Sequence, residues 1–170
     1  MRPHVPDACM TSLSRKFLVV SDETEECLTA AMFAGLRARA VRAGLVMLRC
    51  ARTPALGGWI GLDREISQDA ADAARLKAMQ HADMVEKRVG LRPEVVVCED
   101  DPLDAIRKIV ASDPAIKTIV LAAGSGRWGP GPLVSRLGQG KTLTTRPVAV
   151  TIIPGVLSSA QLEEMAGQSE

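Results

Sequence analysis

The residues most suggestive of chemistry lie in one glycine-rich stretch, GSGRWGPGPLVSRLGQGKT, which runs from Gly124 to Thr142. Residues 124–129 fit the pattern G-x-G-x-x-G, in which glycines let the backbone approach the pyrophosphate of a dinucleotide. Residues 140–142 match the end of the P-loop pattern G-x-x-x-x-G-K-[ST], whose lysine reaches nucleotide phosphates. Taken alone, each pattern predicts phosphate binding.

The elements around this stretch argue against both patterns. A dinucleotide fingerprint follows the first strand of a βαβ unit and needs an acidic residue about 20 positions later. Here the glycines follow the fourth predicted strand, and the next acidic residue after Gly129 is Glu163. A P-loop needs glycine where this chain has Ser135, and a long helix where a strand follows Thr142.

Two interpretations of the glycine-rich stretch stay open on the residues alone. Successive glycines form a backbone nest that binds anions, to which Arg127 and Lys141 would add positive charge. Alternatively, Pro130 and Pro132 brace a tight turn that has no ligand.

Five short apolar segments alternate with helical patterns along the chain. Because the strands are apolar throughout, we expect a doubly wound parallel sheet of the α/β class, covered on both faces. Ligands bind such sheets beyond the carboxyl ends of the strands, where Asp22 and Gly124 lie. The strands are predicted at 17–20, 45–50, 94–98, 118–122 and 148–153, with helices at 24–43, 63–89, from 101, at 133–137 and after 158.

Helix faces and caps are predicted from spacing. Asp101 before Pro102 is a good N-cap, and Ser158 with Gln161 forms a capping box. Apolar spacing predicts the buried face of each long helix. The predicted faces are Leu28, Ala31, Met32, Gly35 and Leu36 in the first helix, and Ile66, Ala70, Ala73, Leu76 and Met79 in the second.

Composition bounds the class of protein. The chain has 170 residues and a net charge of +1, which predict a single domain without a general attraction to nucleic acid. Aromatic residues make up 2%, too few for binding of single-stranded nucleic acid by stacking. No apolar run approaches the ~20 residues of a membrane span, and no signal peptide is evident, so a cytoplasmic location is expected.

Cysteines and histidines predict neither a zinc site nor disulfides. The four cysteines contain no C-x-x-C pair, and the two histidines are far apart in the sequence. Cys27 and Cys50 are expected as small core residues, and Cys98 as partly exposed at a strand end. His81 is expected on the solvated surface of the second helix. No triad or carboxylate pair predicts catalysis, so we expect no catalytic residues and no enzyme.

Several blocks of sequence occur in the order typical of one family. Phe17–Asp22 precedes an acidic helix start and an alanine-rich helix, and Leu48–Cys50 ends the second strand. Ile119–Gly126 forms a strand with a Gly-Ser loop, and Pro147–Ile153 forms the last strand. Over residues 15–154 the chain resembles the universal stress protein family (UspA-like). The resemblance gives a tail at 1–15, a domain at 16–154 and a second tail with a short helix at 155–170.

The resemblance implies a fold, a ligand and a partner. The sheet would have the order 3-2-1-4-5, and the chain would form a homodimer through its last strand. It would bind an adenine nucleotide, ATP or AMP, as a regulatory ligand in stress response, with Mg²⁺ accompanying ATP. Asp22 would meet the ribose or adenine, and Cys50 would wall the adenine. The remaining implied site residues are Ala123, Gly124, Ser125, Gly126, Arg127 and Gly129 around the phosphates, and Gly140 and Lys141 on the far side.

The sequence departs from the family pattern at one place. Members that bind ATP carry G-x-x-G, nine residues, and then G-[ST]. Gly126–Gly129 satisfies the first part, but the second glycine position falls on Gln139, and Lys141 follows Gly140. The alternatives are a nucleotide with fewer phosphates or an interaction module without a nucleotide that acts through protein partners. Trp59 and Trp128 are candidates to cover a ligand.

Overall fold

Strands and helices alternate along the whole chain. The computed structural model describes residues 15–51, 60–126 and 129–167, with only the backbone described at 60–65. The strands are β1 (Lys16–Ser21), β2 (Gly44–Cys50), β3 (Glu94–Cys98), β4 (Ile116–Ala123) and β5 (Ala149–Pro154). The helices are α1 (Glu26–Ala40), α2 (Ile60–Val89), α3 (Pro102–Ser112), α4 (Pro132–Gly138) and α5 (Ser159–Gly167).

The five strands form one parallel sheet in the order β3-β2-β1-β4-β5. In β1, Leu18 is opposite Val46 of β2 and Ile119 of β4. β1 is the central strand: β2 and β3 lie on one side of it, and β4 and β5 lie on the other. This confirms the predicted fold class and strand order, and it places the carboxyl ends of β1 and β4 side by side.

Each face of the sheet has its own apolar core, and the strand residues alternate between the two. Phe17 and Val19 pack with the buried faces of α1, α2 and α5. Leu18 and Val46 pack with Ile106 of α3 and with half-buried side chains of α4. Covering on both faces explains why the strands are apolar at consecutive positions.

The buried face of α2 differs from the prediction, because small residues rather than large ones face the sheet. Leu76 and Met79 are 61% and 44% exposed, and Ala73 is also exposed. In α1 the predicted Ala31 and Gly35 are buried, but Leu28, Met32 and Leu36 are only half-buried. A Cβ on Gly35 would lie 3.0 Å from Val85, so the two helices are too close for larger residues. Among the α2 residues whose side chains the structure describes, the buried ones are Ala74, Ala78, Ala82, Val85 and Val89.

Both predicted helix caps are confirmed. The Leu103 N–H donates to the Asp101 carboxylate at 3.1 Å, and Pro102 occupies the first turn of α3. The Ser158 N–H donates to Gln161 Oε1 at 2.9 Å, and the Gln161 N–H donates back to Ser158 Oγ at 3.3 Å. Among the described helices, none is long and apolar enough to cross a bilayer.

Arg146 connects the segment before β5 to the end of α3 and to the start of β4 by hydrogen bonds. Its Nε donates to the Val110 carbonyl at 3.0 Å, near the end of α3. Its Nη2 donates to the carbonyls of Asp113 at 2.9 Å and Ile116 at 2.7 Å. Three carbonyls around the α3–β4 connection are therefore held by one guanidinium.

Candidate functional site

A cleft of about 870 Å³ opens at the carboxyl ends of the strands. Its floor is apolar and comes from Val20 of β1 and from Leu121 and Ala122 of β4. One wall is the start of α3, and the facing wall is α4. The strand order changes direction between β1 and β4, and parallel α/β sheets bind ligands at such a switch point.

Asp22 lines the cleft directly after β1, as the sequence predicts. Its Oδ1 accepts hydrogen bonds from the Thr24 N–H at 2.8 Å and from Thr24 Oγ1 at 2.6 Å. These bonds close a turn that fixes the direction of the carboxyl group. Within the described part of the chain Oδ2 has no recorded hydrogen-bond partner, so it is left to accept one from a ligand.

Arg49 supports Asp22 from beneath the sheet edge. It is only 1% exposed, and its Nη1 donates to the Asp22 carbonyl at 2.8 Å and to Ser21 Oγ at 3.1 Å. Its Nη2 pairs with the carboxylate of Glu23. Sequence reasoning missed this role, although a single charged residue in the apolar strand GLVMLRC was a usable signal.

His81 lies against β1 rather than on the solvated surface, so that prediction was wrong. Its Nδ1 is 3.1 Å from Ser21 Oγ and 3.7 Å from the Sγ of the buried Cys27. The small residues on the buried face of α2 bring the helix close enough for this contact. Burial lowers the pKa of His81, and the positive charges of Arg49 and Lys77 lower it further.

Cys50 is half-buried in the cleft wall, so it is not the core residue expected from the sequence, whereas Cys27 is. Its Sγ is 3.3 Å from the Sγ of Cys98, which is also half-buried. Burial raises the pKa of the Cys50 thiol to about 12, and the neighbouring Cys98 thiol contributes to this shift. Cys50 therefore stays protonated at neutral pH.

Carboxylates dominate the described rim of the cleft. Asp22, Glu99, Asp100 and Asp101 line it, against the single guanidinium of Arg136. Lys108 forms an ion pair with Asp100 at 2.6 Å and offsets part of this charge. A highly charged anion therefore meets an unfavourable potential at this rim unless a cation accompanies it.

The glycine-rich loop after β4 folds upon itself. The Gly129 N–H donates to the Gly126 carbonyl at 3.0 Å, and a Cβ on Gly124 would lie 3.1 Å from the Gly129 carbonyl. The Gly129 N–H is thus already bonded within the turn. Gly129 and Gly131 have φ of 79° and 92°, which only glycine adopts readily.

Only part of the predicted site borders the cleft. Asp22 and Cys50 line it, while the other described candidates are absent from the described lining. Gly140 and Lys141 follow α4, where the Lys141 N–H donates to the Arg136 carbonyl at 3.2 Å and the Lys141 side chain is exposed. Arg127, Trp128 and Trp59 lie outside the described residues. The described lining does not include the predicted positions Ala123, Gly124, Ser125, Gly126, Gly129, Gly140 and Lys141.

Sequence reasoning did not name the α4 wall or the start of α3 as parts of this site. Leu133 and Val134 of α4 and Leu103 of α3 line the cleft. In the residues that the structure describes, no three His, Cys, Asp or Glu side chains converge in a way that would hold a metal ion.

Several solved structures that this chain resembles in fold are universal stress proteins. The universal stress protein UspA from Lactobacillus plantarum is 20% identical, with a TM-score of 0.68 over 84% of this chain and 99% of that one. A universal stress protein in complex with cAMP is 18% identical, with a TM-score of 0.57 over 82% and 96%. A universal stress protein from Archaeoglobus fulgidus is 14% identical, with a TM-score of 0.50 over 80% and 92%.

These similarities establish that the chain has the UspA-like fold, so the resemblance predicted from the sequence is confirmed at the level of the fold. No protein-family profile matches the chain. No curated protein sequence matches it either.

Proposed function

We propose that this chain is a cytoplasmic universal stress protein whose cleft binds an adenine nucleotide as a regulatory ligand, and that it acts as a homodimer formed through its last strand. The observation that carries the proposal is the cleft at the reversal point of the sheet, with Asp22 fixed at its edge. A structural neighbour in complex with cAMP supports an adenine nucleotide as the ligand. The proposal includes no chemical turnover.

The described walls suit a nucleoside. Val20, Leu121 and Leu133 provide apolar surface for a base, and a cleft of about 870 Å³ is within the range of small-molecule sites. The Oδ2 of Asp22 is an acceptor for a ribose hydroxyl, and the Arg49 bond to the Asp22 carbonyl fixes the backbone that carries it. A sugar with two hydroxyl donors fits this acceptor better than a phosphate does.

The charge of the rim favours few phosphates. Four described carboxylates face one guanidinium, so each added phosphate group increases repulsion. We therefore propose AMP, or another adenine nucleotide of low charge, as the preferred ligand. ATP would enter with Mg²⁺, which neutralises part of its charge and is held by carboxylate oxygens in proteins.

The first test is mass spectrometry of small molecules released from freshly purified protein, followed by calorimetric titration with AMP, and with ATP in the presence and absence of Mg²⁺. We expect AMP binding without Mg²⁺ and ATP binding that depends strongly on it. Asp22→Ala should weaken binding about tenfold or more, since a hydrogen bond to a charged group contributes roughly 1.5–3 kcal/mol.

The matched control is Asp83→Ala. Asp83 lies on α2 and forms an exposed ion pair with Arg92, so this variant removes the same charge at a position outside the described lining of the cleft. It should bind AMP as the wild type does. Equal losses in both variants would mean that general charge, rather than the position of Asp22, governs binding. Flat titrations up to millimolar nucleotide with an empty purified protein would refute the proposal.

One observation favours a second function. Part of the predicted phosphate loop bonds to itself, through the Gly129 N–H and the Gly126 carbonyl, and of its described residues only Pro130 and Gly131 belong to the described lining of the cleft. A protein with this fold that binds no nucleotide would act through protein partners, and the turn would only stabilise the loop. Flat titrations together with a stable dimer would support this alternative.

A further inference from the structure

Two thiols lie side by side on neighbouring strands at the edge of the cleft. Cys50 of β2 and Cys98 of β3 are direct register partners, and their sulfurs are 3.3 Å apart. The Ala51 N–H donates to the Cys98 carbonyl at 2.7 Å, so the backbones stay paired just beyond the two side chains. The proximity of the thiols is therefore a product of the sheet and not of a mobile loop.

The backbone at this pair already has the spacing that a disulfide needs. Neighbouring strands are about 4.8 Å apart, within the range of about 4.4–6.8 Å that Cα atoms span across a disulfide. The sulfurs must approach by about 1.2 Å to reach the bond length of about 2.05 Å. Small rotations of the two side chains accomplish this without breaking the strand pairing.

Both sulfurs have access to small oxidants. Cys50 lines the cleft of about 870 Å³, and Cys98 lines a separate hollow of about 370 Å³ beside Ala71 and Arg75. Both side chains are half-buried. Cys27 provides an internal contrast, because it is fully buried and its polar neighbours are the Asp22 carbonyl, His81 and Ser21 rather than another thiol.

We propose that Cys50 and Cys98 form a redox modification site that closes reversibly into an intrachain disulfide when a hydroperoxide enters the cleft. In the first step one thiolate attacks the peroxide and becomes a sulfenic acid, and the peroxide leaves as water or an alcohol. In the second step the other thiol attacks the sulfenic sulfur and releases water. The two thiols lose two electrons and two protons, and the peroxide is reduced; an external dithiol reverses the reaction.

The surroundings of Cys50 set the pace of these steps. Cys50 keeps its proton at neutral pH and is then a poor nucleophile, because the thiolate is the form that attacks. Asp100 and Asp101 add to the effect of burial on the Cys50 pKa. Closure should therefore be slow at neutral pH and should accelerate as the pH rises.

The test treats fully reduced, folded protein with hydrogen peroxide and analyses tryptic peptides without reduction. We expect a linked pair of peptides, 50–52 with 89–107, which dithiothreitol separates. The same chain treated in concentrated urea should give far less of this pair, because 48 positions separate the two cysteines when the sheet is absent. Cys27→Ala should give the wild-type yield.

Two further variants keep the inference falsifiable. Cys50→Ser and Cys98→Ser should each abolish the linked peptides while retaining the far-ultraviolet circular dichroism of the wild type. The proposal is overturned if peroxide converts these cysteines to sulfinic acid without linkage, or if links to other chains predominate. It is also overturned if urea-treated and folded protein give equal yields. The result does not depend on nucleotide binding, so its failure would leave the proposed function untouched.

Discussion

At the scale of single residues, the buried guanidinium of Arg49 and the imidazole of His81 both contact the Ser21 hydroxyl at the end of β1. The Arg49 guanidinium can only donate, so Ser21 Oγ accepts from it, and the same oxygen lies 3.1 Å from His81 Nδ1. Burial of the imidazole and the positive charge of Arg49 both disfavour the imidazolium in the folded protein.

This network predicts a loss of stability in mild acid. The pKa of His81 is lower in the folded state than its ordinary 6.5, so below pH 6.5 the unfolded chain binds more protons. The stabilisation is complete above pH 6.5 and is lost as the pH falls toward the folded-state pKa. Urea unfolding between pH 7.5 and 5 should show this decline, and His81→Gln should flatten it.

Nuclear magnetic resonance gives an independent check of the same residue. The His81 ring protons should titrate with a midpoint below 6.5, and Lys77→Met should move the midpoint upward because it removes a nearby positive charge. A midpoint at or above 6.5 in the wild type would contradict the network. So would a Lys77→Met variant that titrates lower than the wild type.

Sequence reasoning located Asp22 because an acidic residue directly follows a strand whose pattern is clear. It missed Arg49 and misplaced His81 because their partners come from other elements. The contact between His81 and Ser21 spans 60 positions and depends on how closely α2 packs. Local periodicity contains no information about that distance.

At the scale of elements, α2 shows that the largest apolar side chains of a helix do not always mark its buried face. The helix has 30 residues, and its larger side chains Leu76 and Met79 were expected to face the sheet. Instead it packs against Gly35 of α1 through Val85 and Val89, and its other buried positions are the small residues Ala74, Ala78 and Ala82. The caps of α3 and α5, by contrast, were predictable, because a cap depends on residues within one turn.

A pair of matched substitutions tests the orientation of α2. Leu76→Gln should change the free energy of unfolding by less than about 0.5 kcal/mol, since the side chain is exposed. Ala78→Gln should cost about 2 kcal/mol or more, because it overpacks a fully buried site and buries an amide. Urea denaturation of both variants measures the difference. A larger cost at Leu76 than at Ala78 would restore the face predicted from the sequence.

At the scale of the whole molecule, strand order was predictable and the composition of the cleft only partly so. Apolar strands alternating with helices leave few topologies, and the family resemblance selects the order that is found. The cleft draws on β1, β2, β4, α3 and α4, so its walls depend on how distant segments pack. Asp22 was identified because it follows a strand, and Cys50 because the family resemblance implies it, whereas Leu103 and Leu133 were not identified.

The outer edge of β5 is where we place the proposed homodimer. β5 pairs only with β4 in the described sheet, and its Ile152 is 41% exposed. Ile152→Arg should convert a dimer into a folded monomer in analytical ultracentrifugation, since a charge at this position must be desolvated on pairing. Met84→Arg, at an exposed position of α2, should remain dimeric. A wild-type monomer, or a dimer unaffected by Ile152→Arg, would place the interface elsewhere or remove it.

Arg146 gives this edge a mechanical link to the cleft. It stands just before β5 and holds the Val110 carbonyl near the end of α3, and the opposite end of that helix, at Pro102 and Leu103, forms a wall of the cleft. An 11-residue helix is a stiff rod about 16 Å long. A displacement of the segment before the edge strand would therefore be transmitted along this rod to the cleft wall.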